Sequence, residues 1–322
     1  MNRRGFIFSN IVASGLLGND SFAQSGPWPN RPIKIIVPFP PGTANDIAAR
    51  VLAQNFAPQL NQPVLVENHT GAGGTIGVTT ASQMKNGHTL LLASTAMTIA
   101  PHFSDVKYDV SRDFDAIGMI SIFPGLLVVP ANSKYTSLNE VLADARARPG
   151  QVICGTGGPG SSSHLAAELF MGLANISLLL VPYKGEGALV PDLLSGTVSI
   201  GVVNLPSILR FVRSGQLRAL AVAASQPHSD LPGIRTFESL GIPKMEVLGW
   251  VVLLAAKGIP SEDLANLERM LAKALSTPEI AKTLVTAGIN PVEGGRAKTE
   301  DFIKSQGQHW GQLIRSRNIK AE

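Results

Sequence analysis

The residues best suited to chemistry lie in one run, CGTGGPGSSSHLAAELF, from Cys154 to Phe170. It holds a GxGxxG pattern (Gly155, Gly157, Gly160), three consecutive serines from Ser161 to Ser163, and His164. Such a set can cradle a pyrophosphate on a glycine-rich turn, pair a serine nucleophile with a histidine base, or hold an anion by backbone N–H groups and hydroxyls. A dinucleotide site needs an acidic residue ending the next strand, about twenty positions on. Here that strand, LLLVPYKG, ends in Tyr183 and Lys184, with Glu186 later in the loop, and Pro159 removes an N–H from the turn. A serine hydrolase needs a nucleophile elbow and an acid to orient its histidine. There is no GxSxG, and Ser161 and His164 lie three apart at a helix start with no acidic residue ahead of them in the run. Ser161 reads equally as a helix N-cap.

The remaining chemistry is thin. The histidines at 69, 88, 102, 164, 228 and 309 show neither HxH nor HExxH spacing, and Cys154 is the single cysteine. Neither a metal site nor an internal disulfide is expected, and no cofactor. The formal charge of +4 comes from 27 basic and 23 acidic residues spread along 322 positions. Phosphate neutralisation needs clustered cations, so nucleic acid is not an expected partner.

The elements that must position these residues alternate. Short Val/Ile/Leu runs recur at 33–39, 63–68, 89–95, 126–131, 151–157, 178–183, 199–204, 218–224 and 247–256, and helical patterns such as NDIAARVLAQNF and LNEVLADARA lie between them. Continuous apolar runs suit strands covered on both faces, and the alternation predicts α/β architecture with mostly parallel sheets. After residue 256 the pattern is helical. One helix is expected from an N-cap at Ser261, and another over 299–317 with Phe302, Gln306, Trp310, Leu313 and Ile314 on one side. The order predicts a discontinuous first domain, 26–128 plus 247–322, around an inserted second domain, 129–246. Its two hinge crossings fall near Val128–Pro130 and Val247–Trp250. Four strand ends run into a Gly- or Ser-rich loop and a helix start: 37–50, 66–77, 91–98 and 153–170. Ligands of open α/β sheets bind at such ends, where helix N–H groups attract an anion.

Residues 1–23 read as an export signal: Arg3 and Arg4, the apolar GFIFSNIVASGLL, then small residues at Ser21 and Ala23. NRRGFIF also has twin-arginine character, and the export route stays open. A soluble periplasmic protein is expected.

The segments RPIKIIVPFPPGTANDIAARVLAQ, QPVLVENHTGAGGTIG, HTLLLAST, YDVSRDFDAIGMI, GTGGPGSSSHLAAELF, VPYKGEGALVPDLLSGTVSIGVVNLPSILRFVRSGQLRALAV and GWVVLLAAKGIPSEDLANL closely resemble the Bug family. These are the periplasmic substrate-binding proteins of tripartite tricarboxylate transporters. The resemblance implies a type II periplasmic binding protein fold, two α/β lobes joined by two hinge crossings. It implies capture of a small carboxylate between loops 39–46 and 157–164, and delivery to the transporter's membrane subunits, without catalysis. The expected ligand contacts are Phe39, Gly42, Thr43, Asp46, Ser94 and Thr95 from the first lobe. From the second they are Gly157, Ser161, Ser162, His164, Lys184 and Asn204, with Trp250 at the hinge. Asp46 reads equally as a helix cap, Lys184 as a solvated charge and Trp250 as core. Two departures stand out: Thr43 where the family has a second glycine, and Val203 where it has an acidic residue. If position 203 faces the cleft, the loss of a carboxylate argues against an amino-acid ligand. The chain is expected to act as a monomer. The alternatives are an exported hydrolase using Ser161 and His164, and a ligand sensor for a signalling partner.

Overall fold

Strands form where the chain places apolar side chains on both faces of its backbone. In the computed structural model, which describes residues 27–317 and Ile319, β1 (Ile33–Val37) sends Ile33, Ile35 and Val37 into one core and Ile36 into another. The export signal read at residues 1–23 lies outside the described residues. The same division holds for β3 (Thr89–Ser94), with Leu90 and Leu92 on one side and Leu91 and Ala93 on the other. Full burial of each such side chain contributes roughly 1.5–3 kcal/mol, so a strand without polar alternation is stable only between two helical layers.

The other strands are β2 (Val64–Asn68), β4 (Phe114–Pro130), β5 (Ile153–Thr156), β6 (Leu179–Pro182), β7 (Ile200–Asn204), β8 (Leu217–Ala223) and β9 (Leu248–Ala256). The helices are α1 (Ala44–Leu60), α2 (Thr75–Gln83), α3 (Ala96–Ile99), α4 (Val110–Asp113), α5 (Leu138–Ala147) and α6 (Ser162–Ala174). After them come α7 (Glu186–Ser195), α8 (Leu205–Arg213), α9 (Ser261–Ser276), α10 (Pro278–Thr286) and α11 (Arg296–Arg317). Ser261 is the first residue of α9 rather than its cap, because Pro260 holds the capping position and its carbonyl accepts from Leu264 N.

Two α/β lobes share one long strand. In the first lobe β1 pairs in parallel with β2 and β3, and β3 pairs antiparallel with β9. In the second, β5 pairs in parallel with β6 and β7. The 17-residue β4 runs antiparallel to β9 from Phe114 to Pro124, then antiparallel to β7 and β8 from Gly125 onward. The chain returns at Val247, whose N–H donates to Ala223 and whose carbonyl accepts from Gly125, and β9 follows in the first lobe. The strands that cross between lobes are therefore antiparallel to their neighbours, unlike the parallel sets that carry the loops. The first crossing lies at Pro124–Gly125, ahead of the expected Val128–Pro130. Gly118, Ser121, Pro124 and Gly125 interrupt the apolar run by which a strand is recognised, so only its end was legible.

The last helix departs from the expected partition. Ile303 of α11 packs in a first-lobe core with Trp250, whereas Trp310, Ile314 and Ile319 pack in the second-lobe core with Phe170 and Phe237. Assignment of the whole of 247–322 to the first lobe is thus amended at its end. The helical period shows that α11 has an apolar face, but not which core each turn of that face meets.

Candidate functional site

The first lobe presents the loop after β1. Thr43 is the N-cap of α1: its hydroxyl accepts from Asp46 N at 3.4 Å and donates to the Pro40 carbonyl at 2.9 Å. Gly42 takes a φ of +80°, which a side chain would strain, and its N–H donates to Asp46 Oδ2 at 2.9 Å. Asp46 is 2% exposed and also receives Arg50 Nε and Asn68 Nδ2, each at 2.9 Å. Burial opposes its ionisation, but the bonds from Arg50, Gly42 and Asn68 hold its carboxyl below the usual value. Asp46 thereby organises the loop from beneath. Phe39 stays half-buried, its carbonyl held by Asn68 Nδ2 at 3.0 Å. The neighbouring glycine-rich loop packs closely: a Cβ at Gly77 would stand 2.7 Å from the His69 carbonyl oxygen and 2.9 Å from Pro38 Cα.

Ser94 is half-buried at the carboxyl end of β3. Thr95 is buried and its hydroxyl accepts from Trp250 N at 3.1 Å, tying β9 to the first lobe. Trp250 is fully buried, edge-on to Phe302 with ring centroids 6.0 Å apart. Its expected cleft contact is therefore corrected to a core role: alternation along β9 turns position 250 into the face that also holds Val252 and Leu254.

The second lobe repeats the design of the first. Ser161 is the N-cap of α6; its Oγ accepts from His164 N at 3.1 Å and donates to the Gly158 carbonyl at 2.7 Å. His164 is buried, which lowers its pKa, and its Nδ1 accepts from Gly160 N at 3.3 Å, so the neutral ring carries its proton on Nε2. Ser161 Oγ and His164 Nδ1 are each bonded to the backbone of the turn rather than to one another. Gly157 donates its N–H to Ser163 Oγ at 2.8 Å, and a Cβ there would stand 2.9 Å from that oxygen. Ser162 is bonded to Asn204 Nδ2 at 2.9 Å, and Lys184 is exposed in the loop after β6.

Two points overturn expectations. Val203 is fully buried among Leu126, Val128 and Leu189, so it faces the core and its identity bears on no ligand. Glu186, passed over as a ligand-site residue, is central: its carboxylate receives Asn204 N at 3.1 Å, Asn204 Nδ2 at 2.8 Å and Ser207 Oγ at 2.5 Å. Its only sequence signal was an acidic residue immediately after the YKG turn.

The two jaws approach each other. A Cβ at Gly73 of the first lobe would lie 3.9 Å from the Pro159 carbonyl oxygen of the second, and one at Gly160 would lie 3.7 Å from the Phe103 ring. The caps satisfy Asp46 N and His164 N, and Ala44 N, Asn45 N, Ser162 N and Ser163 N have no acceptor among the described residues. The helix starts of α1 and α6, one on each lobe, each present open N–H groups and a positive dipole end. A separate groove of about 840 Å³ between α3, α4 and α11 is lined by Tyr108, Asp115, Lys257 and Lys304, and none of the expected contacts reaches it. Among the described residues, no helix is long and apolar enough to cross a membrane.

Comparison with known proteins gives a consistent grouping. A family model described as "Tripartite tricarboxylate transporter family receptor" matches residues 48–319. The chain is 36% identical over 297 residues to Protein BugT of Bordetella pertussis (strain Tohama I), covering 91% of each chain. It is similar in structure to "R. palustris Rpa4515 with adipate", with a TM-score of 0.83 and 26% identity, over 91% of this chain and 99% of that one. The periplasmic binding protein BugD gives a TM-score of 0.82 and 26% identity over 92% of this chain and 100% of that one.

Proposed function

The chain belongs to the tripartite tricarboxylate transporter receptor family, whose members are periplasmic binding proteins rather than enzymes, and from that premise we propose that it captures a small carboxylate between its lobes. It then delivers the ligand, acting as a monomer, to the membrane subunits of a tripartite tricarboxylate-type transporter. The observation that carries this reading is the pair of capped helix starts, α1 and α6, one on each jaw, with first-turn N–H groups that have no acceptor among the described residues. A charge-assisted bond to each is worth roughly 1.5–3 kcal/mol, and a micromolar affinity needs about 8 kcal/mol. Three or four such bonds with some apolar burial suffice. Adipate in the related R. palustris protein is in keeping with a carboxylate ligand.

The structure disfavours hydrolysis, because the Ser161 hydroxyl caps α6 and the His164 ring nitrogen accepts from Gly160. Mass spectrometry of acid released when the purified protein is denatured tests the reading. A carboxylate in near-stoichiometric amount is expected; ester turnover that depends on Ser161 would contradict it. Capture of transporter membrane subunits on the liganded protein is the matching test of delivery.

A further inference from the structure

Besides the two strand crossings, a helix joins the lobes. α11 runs unbroken from Arg296 to Arg317, and its two halves are anchored in different cores. Ile303 is buried and Phe302 half-buried in the first-lobe core, with the Phe302 ring edge-on to Trp250. Trp310 and Ile314 are buried in the second-lobe core, Trp310 about two turns beyond Ile303. A stiff rod anchored at both ends would hold the lobes in one relative position. Between the anchors, however, α11 is weak. Gly307 has the lowest helix propensity short of proline, and space does not require it: a Cβ there would meet nothing within 4 Å among the described residues. The Ser305 hydroxyl donates back to the Phe302 carbonyl at 2.7 Å and so competes with the helix ladder. The groove of about 840 Å³ runs along this face with His102, Gly307 and Gly311 in its lining, which leaves the helix room to bend.

Gly311 differs from Gly307. A Cβ there would stand 2.6 Å from His102 Cε1 and 3.0 Å from its Nε2, so only a glycine admits the imidazole against the helix. His102 Nε2 donates to the Gly307 carbonyl at 3.0 Å, the oxygen that Gly311 N meets one turn on. His102 ends the Ala100–His102 turn that follows α3. On one side of it Ile99 is buried in the second-lobe core; on the other, Phe103 packs against that core and lies 3.7 Å from where a Cβ at Gly160 would stand.

We propose that α11 is a strap between the lobes with a bending point at Gly307 and a latch at His102. Straight, as here, it holds the lobes together; bent between Ser305 and Gly311, it lets them part for ligand entry. The helix gives at Gly307 before either anchor, because there no core packing has to be broken. His102 moves with the second-lobe end, since Ile99 and Phe103 tie its turn to that core, and its bond to the Gly307 carbonyl resists the bend. The inference goes beyond carboxylate capture and takes from it only that a ligand enters between the lobes.

Amide hydrogen exchange in the ligand-free protein, read together with its radius of gyration, tests this. The amides of residues 309–311 are expected to be protected about tenfold less than those of 301–304 and 312–314, although Trp310 and Gly311 are buried. Gly307→Ala fits the open space beside the helix. It should raise protection at 309–311 about fivefold, leave the flanking stretches within about twofold, and make the ligand-free protein more compact in solution scattering. His102→Ala should act the other way, lowering protection of the same amides about fivefold and expanding the protein. Even protection along α11, or a response to Gly307→Ala that is equal in the flanking turns, overturns the bend. The expected exchange pattern with an unchanged radius of gyration in both variants overturns its role between the lobes, and His102→Ala without effect on 309–311 overturns the latch. None of these readouts uses a ligand, so failure of the strap and failure of carboxylate capture are told apart.

Discussion

Under the proposed reading, Ser162 and Asp46 divide between touching a ligand and shaping what touches it. Ser162 occupies the first helical position after the Ser161 cap, where proline is tolerated and the N–H has no partner within the helix. Ser162→Pro should therefore weaken carboxylate binding about tenfold beyond Ser162→Ala, with the two variants unfolding at similar urea concentrations; matched affinities would remove this N–H from the site. Asp46 works from behind the loop. Its folded pKa is depressed, so its contribution to stability is present above the ordinary value of 3.8 and is lost as pH falls through the lower folded value. Asp46→Asn should flatten the acid limb of the stability curve below about pH 4 and loosen the Gly42 turn, measured by urea unfolding at several pH values. Glu186 has the opposite sign. Its raised pKa makes folding less favourable as pH climbs from 4.5 toward about 7, a cost accepted inside the second jaw.

At the scale of elements, the strands that read most clearly were those with both faces buried, because burial on both sides leaves an unbroken apolar run. The NDIAAR, LNEVLADARA and SHLAAELF helices were equally legible from their caps and period. The first half of β4 was not, since its Gly and Pro residues serve a crossing between lobes rather than a regular ladder. In the site, Thr43 and Ser161 were legible as residues at helix starts. Trp250 was misjudged because its inward face follows from the register of β9 with β4, a long-range pairing. Glu186 was missed because nothing local reveals that residues 204 and 207 converge on it. The helix α11 poses a sharper test, since Trp310 is fully buried in the second-lobe core although its helix begins against the first. Trp310→Ala should cost roughly 3–5 kcal/mol in urea unfolding. A loss below 1 kcal/mol would mean that this end of α11 is not part of that core.

For the whole molecule, the proposed capture requires both lobes to act on one ligand. They already touch on the hinge side, where Asn290 Nδ2 of the first lobe donates to Asp230 Oδ2 of the second at 2.6 Å. Across the cleft, the 71–74 and 157–160 loops approach each other, with a Cβ at Gly73 standing 3.9 Å from the Pro159 carbonyl oxygen. Binding then favours the closed arrangement because only there do both helix starts reach the same charge. Ligand should shrink the radius of gyration in solution scattering, and Ser162→Pro should reduce that response at a fixed ligand concentration. Calorimetric titration of the purified protein with di- and tricarboxylates and aromatic acids tests the central claim most directly. At least one acid should bind at one site per chain with a dissociation constant near micromolar. No binding by any of them, from protein shown to release no acid on denaturation, would contradict the account.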